Sequence, residues 1–124
     1  PNTDPKVIGA AKRLGVPMIP GAFTPTEIVH AWDLGADAVK IFPASLGGPA
    51  YIRALKAPLP HIPMIPTGGV DDRTVGDFFR SGAYAVGAGG ARFDRKRLQA
   101  KDYAGMTDVA RRFMLALNAA RGQE

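Results

Sequence analysis

The chain has 124 residues and no cysteine, with 46% hydrophobic and 22% charged residues. This composition excludes a disordered chain, disulfide bonds and thiolate chemistry, and no apolar run approaches the roughly 20 residues of a membrane-spanning helix. The net charge of +5 favours an anionic partner, but the basic residues are scattered and are not interleaved with aromatic residues. We therefore expect one domain or part of one, in the cytoplasm, with a small phosphorylated or carboxylated ligand and without nucleic acid or membrane partners.

The chain opens with helix signals. Thr3 or Asp4 can cap a first helix that has Pro5 in its first turn and ends at Gly15. The apolar run at 16–20 then predicts a strand.

The stretch TPTEIVHAWDLG predicts a second helix. Thr24 is its N-cap, Pro25 takes the first position, and Glu27 lies three residues after the cap, which together form a capping box. Gly35 ends the helix. Glu27 could also act as a catalytic acid or base, but its place in the capping box explains it locally.

Strands and helices alternate through the rest of the chain. We predict strands near 38–42, 63–66 and 84–88, and helices near 48–56, 70–82 and 107–120. With the run at 16–20 they form four βα units of a parallel sheet, whose strands are apolar on both faces. Four units are half of an eight-stranded barrel or most of an open doubly wound sheet.

One lysine lies inside an apolar strand, in the sequence AVKIFPASLGG. Ala38, Lys40 and Phe42 share one face of this strand. Helices would cover Val39 and Ile41 on the other face, so Lys40 points inward. Removing an ammonium group from water favours the free amine, which can attack a carbonyl and form a Schiff base. The alternative is a lysine near the strand end that reaches solvent.

Two glycine pairs follow the last two strands, in PTGGV (66–70) and GAGGAR (87–92). Backbone without Cβ atoms can approach a ligand closely, and amides at such turns bind anions. One such turn is explained by helix entry alone. Two turns at one repeat spacing match the phosphate site that many barrels form after their last two strands.

The remaining candidates are weaker. His30 and His61 lack metal-ligand spacing to each other or to a carboxylate, so we expect no metal. The basic stretch 91–101 predicts a solvated loop. At the carboxyl ends of the strands, this stretch could also draw in an anionic substrate.

Four stretches together resemble the 2-keto-3-deoxy-6-phosphogluconate (KDPG) aldolases, which also cleave 4-hydroxy-2-oxoglutarate (KHG). They are PGAFTPTEI, GADAVKIFPAS, GGPAYIRALKAPLPHIPMIPTGGV and GAYAVGAGGA. The resemblance implies a lyase of carbohydrate metabolism, in the Entner-Doudoroff route, with a parallel (β/α)8 TIM barrel that is usually a homotrimer. It implies Schiff-base cleavage of KDPG to pyruvate and glyceraldehyde 3-phosphate, or of KHG to pyruvate and glyoxylate, without a cofactor.

The motif match also implies roles for residues. Lys40 takes the place of the Schiff-base lysine, and Phe42 and Pro43 shape the pocket beside it. The phosphate site would comprise Thr67, Gly68, Gly69, Gly89 and Gly90. Gly90 stands where family members often have a serine, so a backbone amide would have to serve there.

Half of the family pattern has no counterpart in this sequence. We expect residues 1–124 to be the carboxyl-terminal half of one barrel, with strands five to eight. The family's catalytic glutamate and its carboxylate-binding arginine belong to the second strand, and nothing here matches them. A catalytically incomplete phosphate-binding half-barrel that needs an amino-terminal partner is the alternative. Whether the true protein is longer, and whether it prefers gluconate- or galactonate-derived substrates, both stay open.

Overall fold

The computed structural model describes residues 1–89 and 95–122. The chain begins with a helix. Strands and helices then alternate, and two further helices follow. In chain order the elements are α1 (Pro5–Arg13), β1 (Gly21–Ala22), α2 (Pro25–Asp33), β2 (Val39–Ile41), a 3₁₀ turn (Ala44–Leu46), α3 (Gly48–Lys56), β3 (Met64–Pro66), α4 (Val75–Arg80), α5 (Arg95–Gln99) and α6 (Tyr103–Arg121). None of the helices in the described ranges has the length and apolarity needed to cross a bilayer.

The strands form a parallel sheet in the order β1-β2-β3. Lys40 lies between Gly21 of β1 and Ile65 of β3. A fourth segment continues the sheet beyond β3, because the Tyr84 N–H donates to the Met64 carbonyl at 3.0 Å and Gly87 forms a parallel bridge with Thr67. The predicted parallel βα units are therefore confirmed, in sequential order.

Two predicted strands are wrong in detail. The run at 16–20 is not a strand, because its prolines cannot donate to a ladder, and regular pairing starts only at Gly21. The run at 84–88 is not a regular strand. It forms isolated backbone hydrogen bonds with β3 and one parallel bridge. It lies at the open edge of the sheet, where only β3 offers partners, and its glycine weakens the extended conformation.

The helices are closer to the predictions. Asp4 caps α1, and the predicted capping box starts α2. Helix α4 is shorter than the predicted 70–82 because the Asp71 carboxylate accepts the Arg73 and Thr74 N–H groups, each at 2.9 Å, and holds a turn before the helix. The predicted loop at 91–101 contains a helix, α5, and the last helix begins before residue 107.

The two faces of the sheet differ. One face is covered by helices and fully buried, through Val39, Ile41, Met64 and Pro66. Burying each large aliphatic side chain contributes about 1.5–3 kcal/mol, so this face holds the fold together. On the other face Lys40 and Ile65 stay partly exposed.

Helix α6 packs on α4 by one side. The residues on that side are half-buried, and Phe113, Ala116 and Leu117 pack against the core. No residue of α6 is fully buried. This helix therefore covers the core less completely than α2 or α3 does.

Candidate active site

Lys40 lies in the middle of β2, on the face opposite Val39 and Ile41. Its N–H donates to the Pro20 carbonyl at 2.8 Å, which fixes the backbone. Its ammonium nitrogen lies 4.8 Å from the centre of the Phe42 ring. Lys40 therefore lies on the predicted face, opposite Val39 and Ile41, and its amine lies on the open face of the sheet beside an aromatic ring.

A small cavity of about 180 Å³, the glycine cavity, lies beside Phe42. It is lined by Phe42, Thr67, Gly68, Gly69, Val70, Gly87 and Gly89. Gly68 and Gly69 have φ of +89° and +76°, which side chains rarely adopt. A Cβ at Gly69 would lie 2.7 Å from the Ser45 Cβ. Glycine is therefore required at 69 by both conformation and space.

A second cavity of about 290 Å³, the polar cavity, also borders Phe42. Its walls are Pro1, Asn2, Thr3, Gly21, Ala22, Phe23, Glu27, His30 and Phe42. The Thr3 hydroxyl donates to the Gly21 carbonyl at 3.1 Å, and the Gly21 N–H donates to the Asn2 carbonyl at 3.2 Å. Sequence reasoning missed Asn2 and Thr3 as site residues, since a helix-capping role already explained that segment. Phe42 thus lines both cavities, and the Lys40 amine lies over its ring.

Glu27 borders the polar cavity, but its carboxylate accepts hydrogen bonds from the backbone just before α2. The Phe23 and Thr24 N–H groups donate to it at 2.9 and 2.8 Å. These bonds, first those from the Thr24 and then from the Phe23 backbone, hold the pKa of Glu27 below its usual range. The capping-box interpretation is confirmed, and a low pKa makes Glu27 a poor proton donor at neutral pH.

The structure brings most predicted site residues together. Lys40 touches Phe42, and Phe42, Thr67, Gly68, Gly69 and Gly89 share the glycine cavity. Pro43 follows Phe42 through a cis peptide bond and lines neither cavity. Gly90 lies outside the described residues.

The histidines lie apart. His61 meets Trp32 edge-on, with ring centres 6.2 Å apart, whereas His30 borders the polar cavity. Within residues 1–89 and 95–122, no three histidine, aspartate or glutamate side chains cluster as metal ligands.

A second half-buried lysine, Lys56, lies outside the candidate site. The Lys56 ammonium donates to the Pro60 and Ile62 carbonyls at 2.8 and 3.0 Å. Burial lowers the pKa of Lys56. Ile62 precedes β3, so this lysine lies toward the amino end of the sheet, away from the glycines. Sequence reasoning missed it because Lys56 ends an amphipathic helix, where a lysine is ordinarily solvated.

Comparison with known proteins assigns the chain to a family. The family described as "KDPG and KHG aldolase" matches residues 1–109. The chain belongs to the KDPG/KHG aldolase family. The match includes Lys40 and both glycine pairs.

Members of the aldolase family show how far the similarity extends. A probable 2-dehydro-3-deoxy-6-phosphogalactonate aldolase of Rhizobium meliloti is 40% identical over 90 residues, which are 72% of this chain and 42% of that protein. A 2-dehydro-3-deoxy-phosphogluconate aldolase of Treponema pallidum is 42% identical over 71 residues, 56% of this chain and 34% of that protein. A solved structure described as native KDPGal matches 98% of this chain and 58% of its own, with a TM-score of 0.89 and 32% identity. The chain thus spans less than half the length of these two curated aldolases.

Proposed function

We propose that this chain carries the Schiff-base lysine and the phosphate site of a class I aldolase, a lyase acting on 2-keto acids. The observation that carries the proposal is the place of Lys40, on the open face of the sheet beside Phe42, a residue that also lines the glycine cavity. The family match supports the choice of reaction.

In the proposed reaction, the neutral Lys40 amine attacks the C2 carbonyl of the substrate. The carbinolamine loses water and becomes a protonated imine, which accepts the electron pair of the breaking C3–C4 bond. As the C3–C4 bond breaks, the C4 hydroxyl gives its proton to a base and the aldehyde leaves. The enamine is then protonated at C3, and water adds to the resulting imine and releases pyruvate and the free amine. Phe42 would shield the imine from water at one side.

The glycine cavity is the proposed phosphate site. Its backbone at Gly68 and Gly69 lacks side chains, so amide groups can approach phosphate oxygens. Thr67 would add a hydroxyl, Gly89 would complete the wall, and Gly90 would contribute a backbone amide.

The proposed substrates are KDPG or its galactonate epimer, and KHG. The relatives named above include both a phosphogalactonate and a phosphogluconate aldolase, so the proposal includes both epimers. By the same resemblance, the complete protein would be a TIM barrel in a homotrimer, in the cytoplasm, and would need no cofactor.

The second candidate is a catalytically incomplete half-barrel. Three observations favour it: the open face of the sheet around Lys40 and Ile65, the short aldolase coverage, and the hydrogen-bonded state of Glu27. In this proposal residues 1–124 form strands five to eight, and an amino-terminal half supplies the missing carboxylate and arginine.

Borohydride trapping with pyruvate tests the Schiff base. Peptide mass mapping should find the reduced pyruvyl adduct on Lys40, and Lys40→Ala should abolish it. Lys56→Arg is the matched control, since Lys56 is also a half-buried lysine but lies at the opposite end of the sheet, and this variant should be labelled like the parent. Labelling that persists in Lys40→Ala, or is lost in Lys56→Arg, would contradict the proposal.

A further inference from the structure

The positive charge of the chain is concentrated in its last part. Residues 95–122 contain seven lysines and arginines and two aspartates, a balance equal to the +5 of the whole chain. Residues 1–89 are nearly neutral, with eight basic and seven acidic side chains. The charge is therefore a local property of α5 and α6.

The first part of this basic region begins within about 22 Å of Gly89, which lines the glycine cavity. Arg121, at the end of α6, lines a groove with Ala83 and Tyr84, where the fourth segment begins. Helix α6 is about 28 Å long, so its start and α5 lie well away from that groove. Arg95 follows Gly89 by six residues, a reach of at most about 22 Å. We call residues 95–102 the basic turn.

Without the basic turn, the rim of the site is acidic. We define the rim as the loops and first helical turns at the carboxyl ends of the described strands. Five carboxylates belong to it, in Asp4, Glu27, Asp71, Asp72 and Asp77. Lys6 and Arg73 are its cations, and Lys40 adds one charge inside the site. Without the basic turn, a substrate with a carboxylate and a phosphate would therefore approach a rim of net negative charge.

The basic turn reverses this sign. It adds Arg95, Lys96, Arg97 and Lys101 against the single carboxylate of Asp102, which pairs with Arg97 at 3.2 Å. Arg95 and Lys101 are exposed, so their field extends into solvent. Clustered charges of one sign raise the local concentration of opposite ions by about 10- to 1000-fold at low salt.

We propose that the basic turn is an electrostatic guide, which concentrates multiply charged anionic keto acids at the mouth of the Lys40 site without touching the reacting atoms. The inference rests on the proposed function. If the basic turn acts in this way, anion affinity should depend on the salt concentration and on the charge of the ligand. It should also depend on charged side chains that line neither cavity.

The test compares two double variants with equal net charge. Arg95→Glu with Lys101→Glu reverses the basic turn, and Arg112→Glu with Arg121→Glu makes the same change farther along α6. The probes are 3-phosphoglycerate, which carries a carboxylate and a phosphate, and pyruvate, which carries one charge. Dissociation constants come from amide shifts of Gly68 and Gly69 at about 10 mM salt, where the Debye length is about 30 Å, and near 1 M, where it is about 3 Å.

The basic-turn variant should bind 3-phosphoglycerate about tenfold more weakly than the control variant at low salt, and equally at high salt. Pyruvate should respond less than 3-phosphoglycerate. Thermal unfolding checks that both variants fold, and Arg95→Gln with Lys101→Gln should give an intermediate loss. Equal weakening in both double variants, or a loss that persists at high salt, would overturn the guide.

Failure of the proposed function has a different signature. If pyruvate trapping never labels Lys40, the Schiff-base assignment is wrong whatever the salt dependence shows. If Lys40 is labelled but the basic-turn variant binds 3-phosphoglycerate like the control at low salt, only the guide is wrong.

Discussion

Gly69 and Gly89 line the same cavity, yet their surroundings differ. Gly69 has a positive φ and would bring a Cβ within 2.7 Å of Ser45, whereas a Cβ at Gly89 meets nothing within 4 Å. The two positions therefore separate the needs of the fold from those of the ligand. A side chain at position 69 would affect both the fold and the ligand site. A side chain at position 89 would change only the space available to the ligand.

Gly69→Val should weaken binding of phosphorylated substrates far more than of unphosphorylated KHG, and should also lower the melting temperature, because the new side chain is strained and displaces Ser45. Gly89→Ala should narrow the phosphate site with little change in melting temperature. Titrations with both substrates, alongside thermal unfolding, check this. Equal losses for KDPG and KHG in Gly89→Ala would contradict a phosphate site at these glycines.

The elements carry their own start signals, and α2 is the clearest case. The Thr24 hydroxyl accepts the Glu27 N–H at 3.4 Å while the Glu27 carboxylate accepts two N–H groups in return. Removing an N-cap hydroxyl costs about 1 kcal/mol. The cap orients the loop after β1, which forms part of the wall of the polar cavity.

The cap predicts a pH dependence. Because its hydrogen bonds lower the pKa of Glu27 in the folded state, their stabilisation is present above the ordinary carboxyl pKa and is lost as the pH falls through the lower folded value. Glu27→Gln should melt lower than the parent at neutral pH, and the difference should shrink towards pH of about 3.

Asp37 supplies the control for this prediction. Hydrogen bonds from the Met18 N–H and then from Lys12 lower the pKa of Asp37 as well. The parent protein will therefore lose stability in acid for more than one reason. Asp37→Asn should leave the contribution of Glu27 in place, so a Glu27→Gln difference independent of pH in both backgrounds would contradict the cap argument.

Among residues 1–89 and 95–122, one face of the sheet is uncovered, and the fourth segment beside β3 forms an open edge. The half-exposed Lys40 and Ile65 lie on this face, and large apolar side chains such as Leu14 and Val16 are exposed elsewhere. Burying such surface stabilises a complex by about 25 cal/mol per Å². A complementary half would therefore be expected to bind here.

Adding an amino-terminal half from a related aldolase, which bears the glutamate strand, should raise cleavage of KDPG by roughly 10²- to 10⁴-fold, the usual effect of a positioned acid or base. Steady-state assays of the separate and mixed halves measure this gain. Lys40→Ala in the same mixture is the control and should show no gain. Ordinary aldolase rates from the 124-residue chain alone would mean that the general base lies within it, and Asp71 and Asp72 would then be tested before Glu27.

Local signals in the sequence determined much of the fold and of the candidate site. The caps at Asp4 and Thr24 predicted α1 and α2, because a cap depends on residues within one helical turn. Alternation in β2 predicted that Lys40 would point away from Val39, because the period of a strand is fixed by its backbone. The positive φ values at Gly68 and Gly69 match the residue type that the sequence places there.

Only the tertiary structure decided which segments meet. Pairing starts at Gly21 and not at Val16 because the register of the sheet places Gly21 opposite Lys40, a residue far away in the chain. The same holds for Asn2 and Thr3, which reach the site only because Gly21 bonds to them. The withdrawal of Lys56 from water depends on the carbonyls of Pro60 and Ile62 in a folded loop. The pairing of Gly21 and its bonds to Asn2 and Thr3 depend on chain folding over long separations, whereas the Lys56 contacts depend on the path of a short loop.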